Sequence, residues 1–220
     1  MSVQYLRPPP TTPEVVYTSH YCEENIYLLL QALAKNSSVI EIWDLNAVFI
    51  SNHGKSVALW NQKLAPEDDI MPVVWDYHVV ALLLPRKDPA RTSTGEVQEQ
   101  HSEVTVQAWI YDFDSRIPTP VLLEEYLSGT FNEGVPEQFQ SLFRIVPVRD
   151  LSDHFASDRS HMLSSEVPQD QVYVKPPPAH APIRGPKAQH STNLMEGFVN
   201  MRASEGFGRM VSLGELWEMC

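Results

Sequence analysis

The stretch Val73-Val74-Trp75-Asp76-Tyr77-His78-Val79-Val80, continuing into Ala81-Leu82-Leu83-Leu84, decides how this chain is read. Its density of β-branched and aromatic residues predicts a strand over 73–84 that is buried on most of its surface. With side chains alternating between faces, Val74, Asp76, His78 and Val80 point one way and Trp75, Tyr77 and Val79 the other. An acid and an imidazole on one face of a core strand need partners, so this strand implies a polar site beside it. The expected partner is Cys22, in Ser19-His20-Tyr21-Cys22-Glu23-Glu24-Asn25.

Cys22 stands at a predicted helix start. Ser19 or Thr18 would cap a helix from about Cys22 through Lys35, and Glu23 and Glu24 in its first turn complement the helix dipole. Ile26, Leu29, Leu30 and Leu33 form a stripe at helical spacing that packs on the core. Ala47 to Ile50 reads as a strand, Asn52 to Lys55 as a turn, and Val57 to Trp60 as the returning strand of a hairpin.

A further strand is expected over 104–113, with Val104, Val106, Ala108, Ile110 and Asp112 on one face. If it pairs with 73–84 so that Leu84 meets Val104, His78 lies opposite Ile110 and Asp112 is its diagonal neighbour. A slip of one residue would separate the two. Downstream, Val121 to Leu127 and Leu194 to Met201 read as short helices and Leu142 to Val146 as a strand. Ser212 with Glu215 forms a capping box for a last helix over 213–219.

The 220 residues fit a single domain, 1–220, able to bury a sizeable core. Residues 1–13 are polyproline-prone and expected to be mobile, 85–103 to form a solvated surface loop, and 175–190 a Pro-rich extended surface segment. A net charge of −12 argues against a nucleic-acid partner. That acidity serves solubility and would also suit a cationic ligand. No apolar run approaches the roughly 20 residues of a membrane span. With two cysteines at opposite ends of the chain and no signal-peptide pattern, reducing cytosol is the expected compartment and Cys22 a free thiol. Cys-x-x-Cys, His-Glu-x-x-His and Gly-rich phosphate loops are absent from the sequence, so neither a metal nor a cofactor is expected.

A cysteine at a helix start, a histidine on one strand and an aspartate on the next make a thiol-nucleophile set. The imidazole moves protons and the carboxylate fixes its tautomer. Each residue alone also has a structural reading, Asp112 as the start of a turn with Asp114, Ser115 and Pro118. Glu23 and Glu24 work against a reactive thiol, since their charge raises its pKa. One of them is therefore expected to have a second task, such as holding an ammonium, unless both are merely solvated first-turn acids.

Taken together, Tyr21-Cys22-Glu23-Glu24-Asn25, Trp75-Asp76-Tyr77-His78-Val79, Tyr111-Asp112-Phe113-Asp114 and His154-Phe155-Ala156-Ser157-Asp158-Arg159-Ser160-His161-Met162 resemble the protein N-terminal glutamine amidohydrolase family. The resemblance runs in order from about Tyr17 to the C-terminus. It implies an α/β (α+β) fold, a three-layer α-β-α sandwich with a mainly antiparallel sheet, related to papain-like cysteine enzymes and transglutaminases. The family's catalytic Cys, His and Asp fall on Cys22, His78 and Asp112. The implied reaction converts an N-terminal glutamine to glutamate with loss of ammonia, through a thioester on Cys22. It would be carried out by a monomer, in the cytosol or nucleus, as a step feeding the N-degron pathway, on proteins and peptides that begin with Gln. Glu24, Trp75, Asp76 and Tyr77 are the candidate substrate-binding residues. A papain-like peptidase or a transglutaminase-like acyltransferase using the same three residues is the alternative.

Overall fold

The computed structural model describes residues 4–10, 15–66, 71–86, 104–163 and 173–220. In chain order its elements are β1 (Gln4–Leu6), α1 (Cys22–Ala34), α2 (Ser37–Ile40), β2 (Trp43–Ser51), β3 (Val57–Leu59), β4 (Val73–Trp75), β5 (His78–Pro85), β6 (Val104–Val106), β7 (Trp109–Tyr111), β8 (Val121–Leu122), α3 (Leu123–Thr130), β9 (Leu142–Pro147), α4 (Val148–His154), β10 (Arg209–Val211) and α5 (Leu213–Trp217). Six strands form one sheet in the order β10-β9-β2-β5-β7-β8, and every pairing in it is antiparallel.

Helices cover both faces of this sheet. Val79, Ala81 and Leu83 of β5 face Ile26, Leu29, Leu30 and Leu33 of α1 together with Leu151 of α4, which places the apolar stripe read from the sequence in the core. Val80 and Leu82 point the other way, into a second cluster with Leu123, Tyr126 and Leu127 of α3 and Leu216 of α5. Because both faces of β5 are covered, the strand reads as an unbroken apolar run. The capping box of α5 forms as expected, Ser212 accepting from the Glu215 amide and Glu215 from the Ser212 amide. The expected cap of α1 by Ser19 or Thr18 does not, because Tyr21 takes the N-cap position.

Three strand readings are corrected. The strand expected over 73–84 is broken between β4 and β5. Asp76 Oδ1 accepts the Tyr77 amide at 2.9 Å and Ser51 Oγ donates to the Asp76 carbonyl at 2.6 Å, so local polar contacts replace ladder bonds there. Asp76 is consequently exposed rather than buried beside His78. The expected 104–113 strand likewise divides, β6 pairing with β1 and β7 with β5. Finally, β3 does not return along β2. Both edges of β2 are taken, by β5 and β9, so β3 pairs with β4 in a small ladder of its own.

Within the stretch 1–13, Gln4–Leu6 pairs parallel with Val104–Val106 and Arg7 lies 5.7 Å over the Trp109 ring. Residues 1–3, 11–14 and, of the 85–103 loop, 87–103 lie outside the described residues. Residues 173–190 run mostly exposed, with isolated bridges at Tyr173 and Arg184 as their only sheet contacts. Among the described residues no helix is long and apolar enough to cross a membrane.

Candidate active site

The site lies where α1 begins and β5 enters the sheet. His20, at φ 70° in the left-handed region, turns the chain into α1. Cys22 thus becomes the first residue of the helix, 7% exposed, and the Val79 amide donates to its sulfur. Cys22, Trp75, Asp76, Tyr77, Asp114, His20 and Met162 line a cleft of about 40 Å³.

His78 opens β5, fully buried, with Trp75 stacked on it at a centroid separation of 5.4 Å. Its Nε2 lies 2.9 Å from Asp112 Oδ1. The register differs from the one expected: Leu82, not His78, meets Ile110, and Ala81 meets Tyr111 at the end of β7. The shift moves the pairing by an even number of residues, so His78 and Asp112 keep a common face and remain diagonal neighbours. Asp112 is satisfied on both oxygens, Oδ1 also accepting the Asp114 amide at 2.9 Å and Oδ2 the Tyr126 hydroxyl at 2.9 Å. With Nε2–H directed at Asp112, the neutral imidazole carries its lone pair on Nδ1, and this buried atom has no hydrogen-bond partner among the described residues.

The charges oppose one another. Burial works against His78 ionising, but the Asp112 carboxylate outweighs it, with Asp114 and Glu23 adding to it, and holds the imidazole above its ordinary pKa. Asp112, equally buried, is held below the usual carboxylate range by that imidazole. Burial pushes the Cys22 thiol well up, and Glu23 and Asp114 push it further. Burial and the two neighbouring acids thus all favour the thiol over the thiolate.

The structure separates the two first-turn acids. Neither is solvated: Glu23 is 2% exposed and Glu24 0%. Arg159 Nε and Nη2 grip the two oxygens of Glu24, each at 2.7 Å, and His180 Nε2 is 3.6 Å away. That bidentate pair ties α1 to the segment after α4 and engages both oxygens of Glu24, which does not line the cleft. Glu23 instead contacts the cleft walls, its Oε2 accepting the Cys22 thiol at 3.7 Å and the Tyr77 hydroxyl at 3.2 Å. Trp75, Asp76 and Tyr77 all line the cleft. Sequence reasoning missed Tyr126 as a holder of Asp112 and Arg159 as the partner of Glu24, and it gave Asp114 only a turn. The Arg159 signal was present in the quoted 154–162 motif, but its partner stands 135 positions away.

His78, Asp112 and Asp114 each offer an atom within 4.8 Å of the others, spacing that would suit a metal. His78 Nε2 and Asp112 Oδ1 are already hydrogen-bonded to one another at 2.9 Å, which fixes the orientation of the ring. Two wider clefts of about 1010 Å³ each, around Asn132, Val135 and Phe139, lie away from Cys22 and His78.

A buried thiol at a helix start and a buried imidazole oriented by a carboxylate, both on an antiparallel α+β scaffold, delimit the field of possible classes. Comparison with known proteins narrows it. A profile of the family described as N-terminal glutamine amidase matches residues 17–220. The human protein N-terminal glutamine amidohydrolase is 32% identical over 216 residues, 97% of this chain and 92% of the relative. The bovine enzyme of the same name is 33% identical over 208 residues, 94% and 87% of the two chains. That of Danio rerio is 31% identical over 208 residues, 94% and 89%. The chain belongs to the N-terminal glutamine amidase family, whose members are hydrolases acting on amides.

Proposed function

We propose that this protein removes the side-chain amide of an N-terminal glutamine, leaving glutamate and releasing ammonia, with Cys22 as nucleophile, His78 as proton carrier and Asp112 as the group that orients it. The observation that carries the reading is His78 itself: buried, fixed at Nε2 by Asp112, and unpartnered at Nδ1 close to the start of α1.

His78 Nδ1 takes the Cys22 proton, and the thiolate attacks the amide carbon to form a C–S bond and a tetrahedral oxyanion. The Cys22 backbone N–H, one of the unpaired amides of a first helical turn, donates to that oxyanion. The imidazolium then gives its proton to the departing nitrogen, the C–N bond breaks, and ammonia leaves a thioester on Cys22. His78 next takes a proton from water, whose oxygen attacks the thioester. Collapse breaks the C–S bond, the sulfur regains the proton, and the product begins with glutamate. Every step is served by side chains, a backbone amide and water, and no cofactor enters. Kinship of the scaffold with papain-like enzymes and transglutaminases, a monomeric state, a cytosolic or nuclear setting and a place ahead of N-degron recognition all belong to the same reading.

Ammonia release and intact mass, measured on a peptide that begins with Gln and on one with Gln only inside, test it. The protein is expected to deamidate the first alone, Cys22→Ala to lose the activity, and Asp112→Asn to lose roughly 10⁴-fold in kcat because its side-chain amide stabilises the wrong ring tautomer. Peptide-bond cleavage would instead support the peptidase alternative, and joining of an amine the acyltransferase.

A further inference from the structure

We infer that Glu23 accepts the α-ammonium of the substrate and so confines the reaction to the first residue of a chain; the inference rests on the amidase reading above. The carboxylate is buried between two cleft-lining residues, with Oε2 shared by the Cys22 thiol and the Tyr77 hydroxyl. Its Oε1 has no hydrogen-bond partner among the described residues. Burying an acid without a cation is costly, and a site that keeps one beside its nucleophile is built for a cation that arrives with the ligand.

The other acids nearby are occupied. Glu24 is gripped by Arg159, and Asp112 by His78 and Tyr126. Asp114 Oδ1 accepts the Tyr17 hydroxyl. Asp76 is exposed, with Oδ1 on the Tyr77 amide. Of these acids Glu23 is the one with a fully buried oxygen, Oε1, that finds no hydrogen-bond partner among the described residues.

The distances also agree. In glutamine four bonds of about 1.5 Å separate the α-nitrogen from the amide carbon, so the two lie within about 5 Å of each other. When that carbon is about 3–3.5 Å from Cys22 Sγ, the ammonium can reach hydrogen-bonding range of a carboxylate 3.7 Å from the same sulfur. In asparagine the separation is one bond shorter, so an ammonium seated on Glu23 draws the carbonyl carbon away from Sγ. An internal glutamine brings no ammonium at all and leaves Glu23 buried and unpaired. Once neutralised by the ammonium, Glu23 also ceases to oppose formation of the Cys22 thiolate.

The test compares ammonia release from a peptide beginning with glutamine and from the same peptide whose first residue has hydrogen in place of the α-amino group. Wild type should prefer the amino substrate in kcat/KM by roughly ten- to hundredfold, the worth of one hydrogen bond to a charged group. Glu23→Gln, nearly isosteric, should lose most of that preference, and Glu23→Asp should fall between the two. A wild type indifferent to the ammonium, or a Glu23→Gln protein slower on both substrates by the same factor, overturns the inference while leaving the amidase reading intact. A wild type that releases no ammonia from the amino peptide overturns both.

Discussion

Glu24 sits in a region of α1 where every charge is answered, and Glu23, one residue earlier, in a region where charge is left over. Both are buried, both belong to the same helical turn, and they share one chemistry. Glu24 meets Arg159 in a bidentate pair and His180 beyond it. Glu23 Oε2 meets a thiol and a phenol where Glu24 meets a guanidinium, and burial drives the Glu23 pKa up to about 8. The difference separates two uses of a buried acid: the paired one fastens segments 135 positions apart, while the unpaired one holds free energy that a ligand can release.

Breaking the paired side should give the largest effect. Arg159→Met strands Glu24 without its partner, which costs about 3–5 kcal/mol for a buried pair and lowers Tm by roughly 6–20 °C in a chain of this size. Glu23→Gln replaces a carboxyl that has no cation to lose, and should change stability by less than about 1 kcal/mol or raise it. Thermal unfolding of the two variants side by side measures this. Equal losses would mean that Glu23 is as structurally committed as its neighbour, and the contrast would fail.

The unpaired side should reveal itself through pH. The folded-state carboxyl of Glu23 titrates near 8, above its ordinary value of 4.5, so between those values the folded protein holds a proton that the unfolded chain has released. Its contribution to stability is fully present below 4.5 and is lost as pH rises through about 8, at up to about 1.4 kcal/mol per pH unit. His78, also raised, loses stability in the same direction and is common to both proteins. Urea midpoints at about pH 5.5 and about pH 7.5 should therefore fall more steeply for wild type than for Glu23→Gln. Parallel slopes would place Glu23 among ordinary, solvated acids.

Much of this contrast was hidden from the sequence for physical reasons. The apolar stripe of α1 was legible because Ile26, Leu29, Leu30 and Leu33 repeat at helical spacing, and so was the common face of His78 and Asp112, because strand alternation survives any even shift of register. The break at Asp76 was not. A run of β-forming residues carries no stop signal when the interruption comes from a serine hydroxyl and a side-chain carboxylate. Nor was the loss of the β2–β3 hairpin, since β9, which takes that edge of β2, starts only at Leu142. Two adjacent glutamates look alike until the fold brings an arginine to one of them.

The smallest effect is expected at Tyr77, and it sharpens the comparison most finely. Its hydroxyl is the better of the two donors to Glu23 Oε2, at 3.2 Å against 3.7 Å for the thiol. Tyr77→Phe keeps the ring in the cleft wall and removes one hydrogen bond, worth about 1 kcal/mol and about 2–4 °C in Tm. That bond favours the ionised carboxylate, so its loss should push the Glu23 pKa higher and carry the pH-dependent fall in stability toward alkaline values. The same change leaves Glu24 and Arg159 untouched. Combined with Glu23→Gln, it should therefore move no pH midpoint. A Tyr77→Phe protein whose stability profile overlays wild type would show that the hydroxyl packs against Glu23 without bearing on its charge.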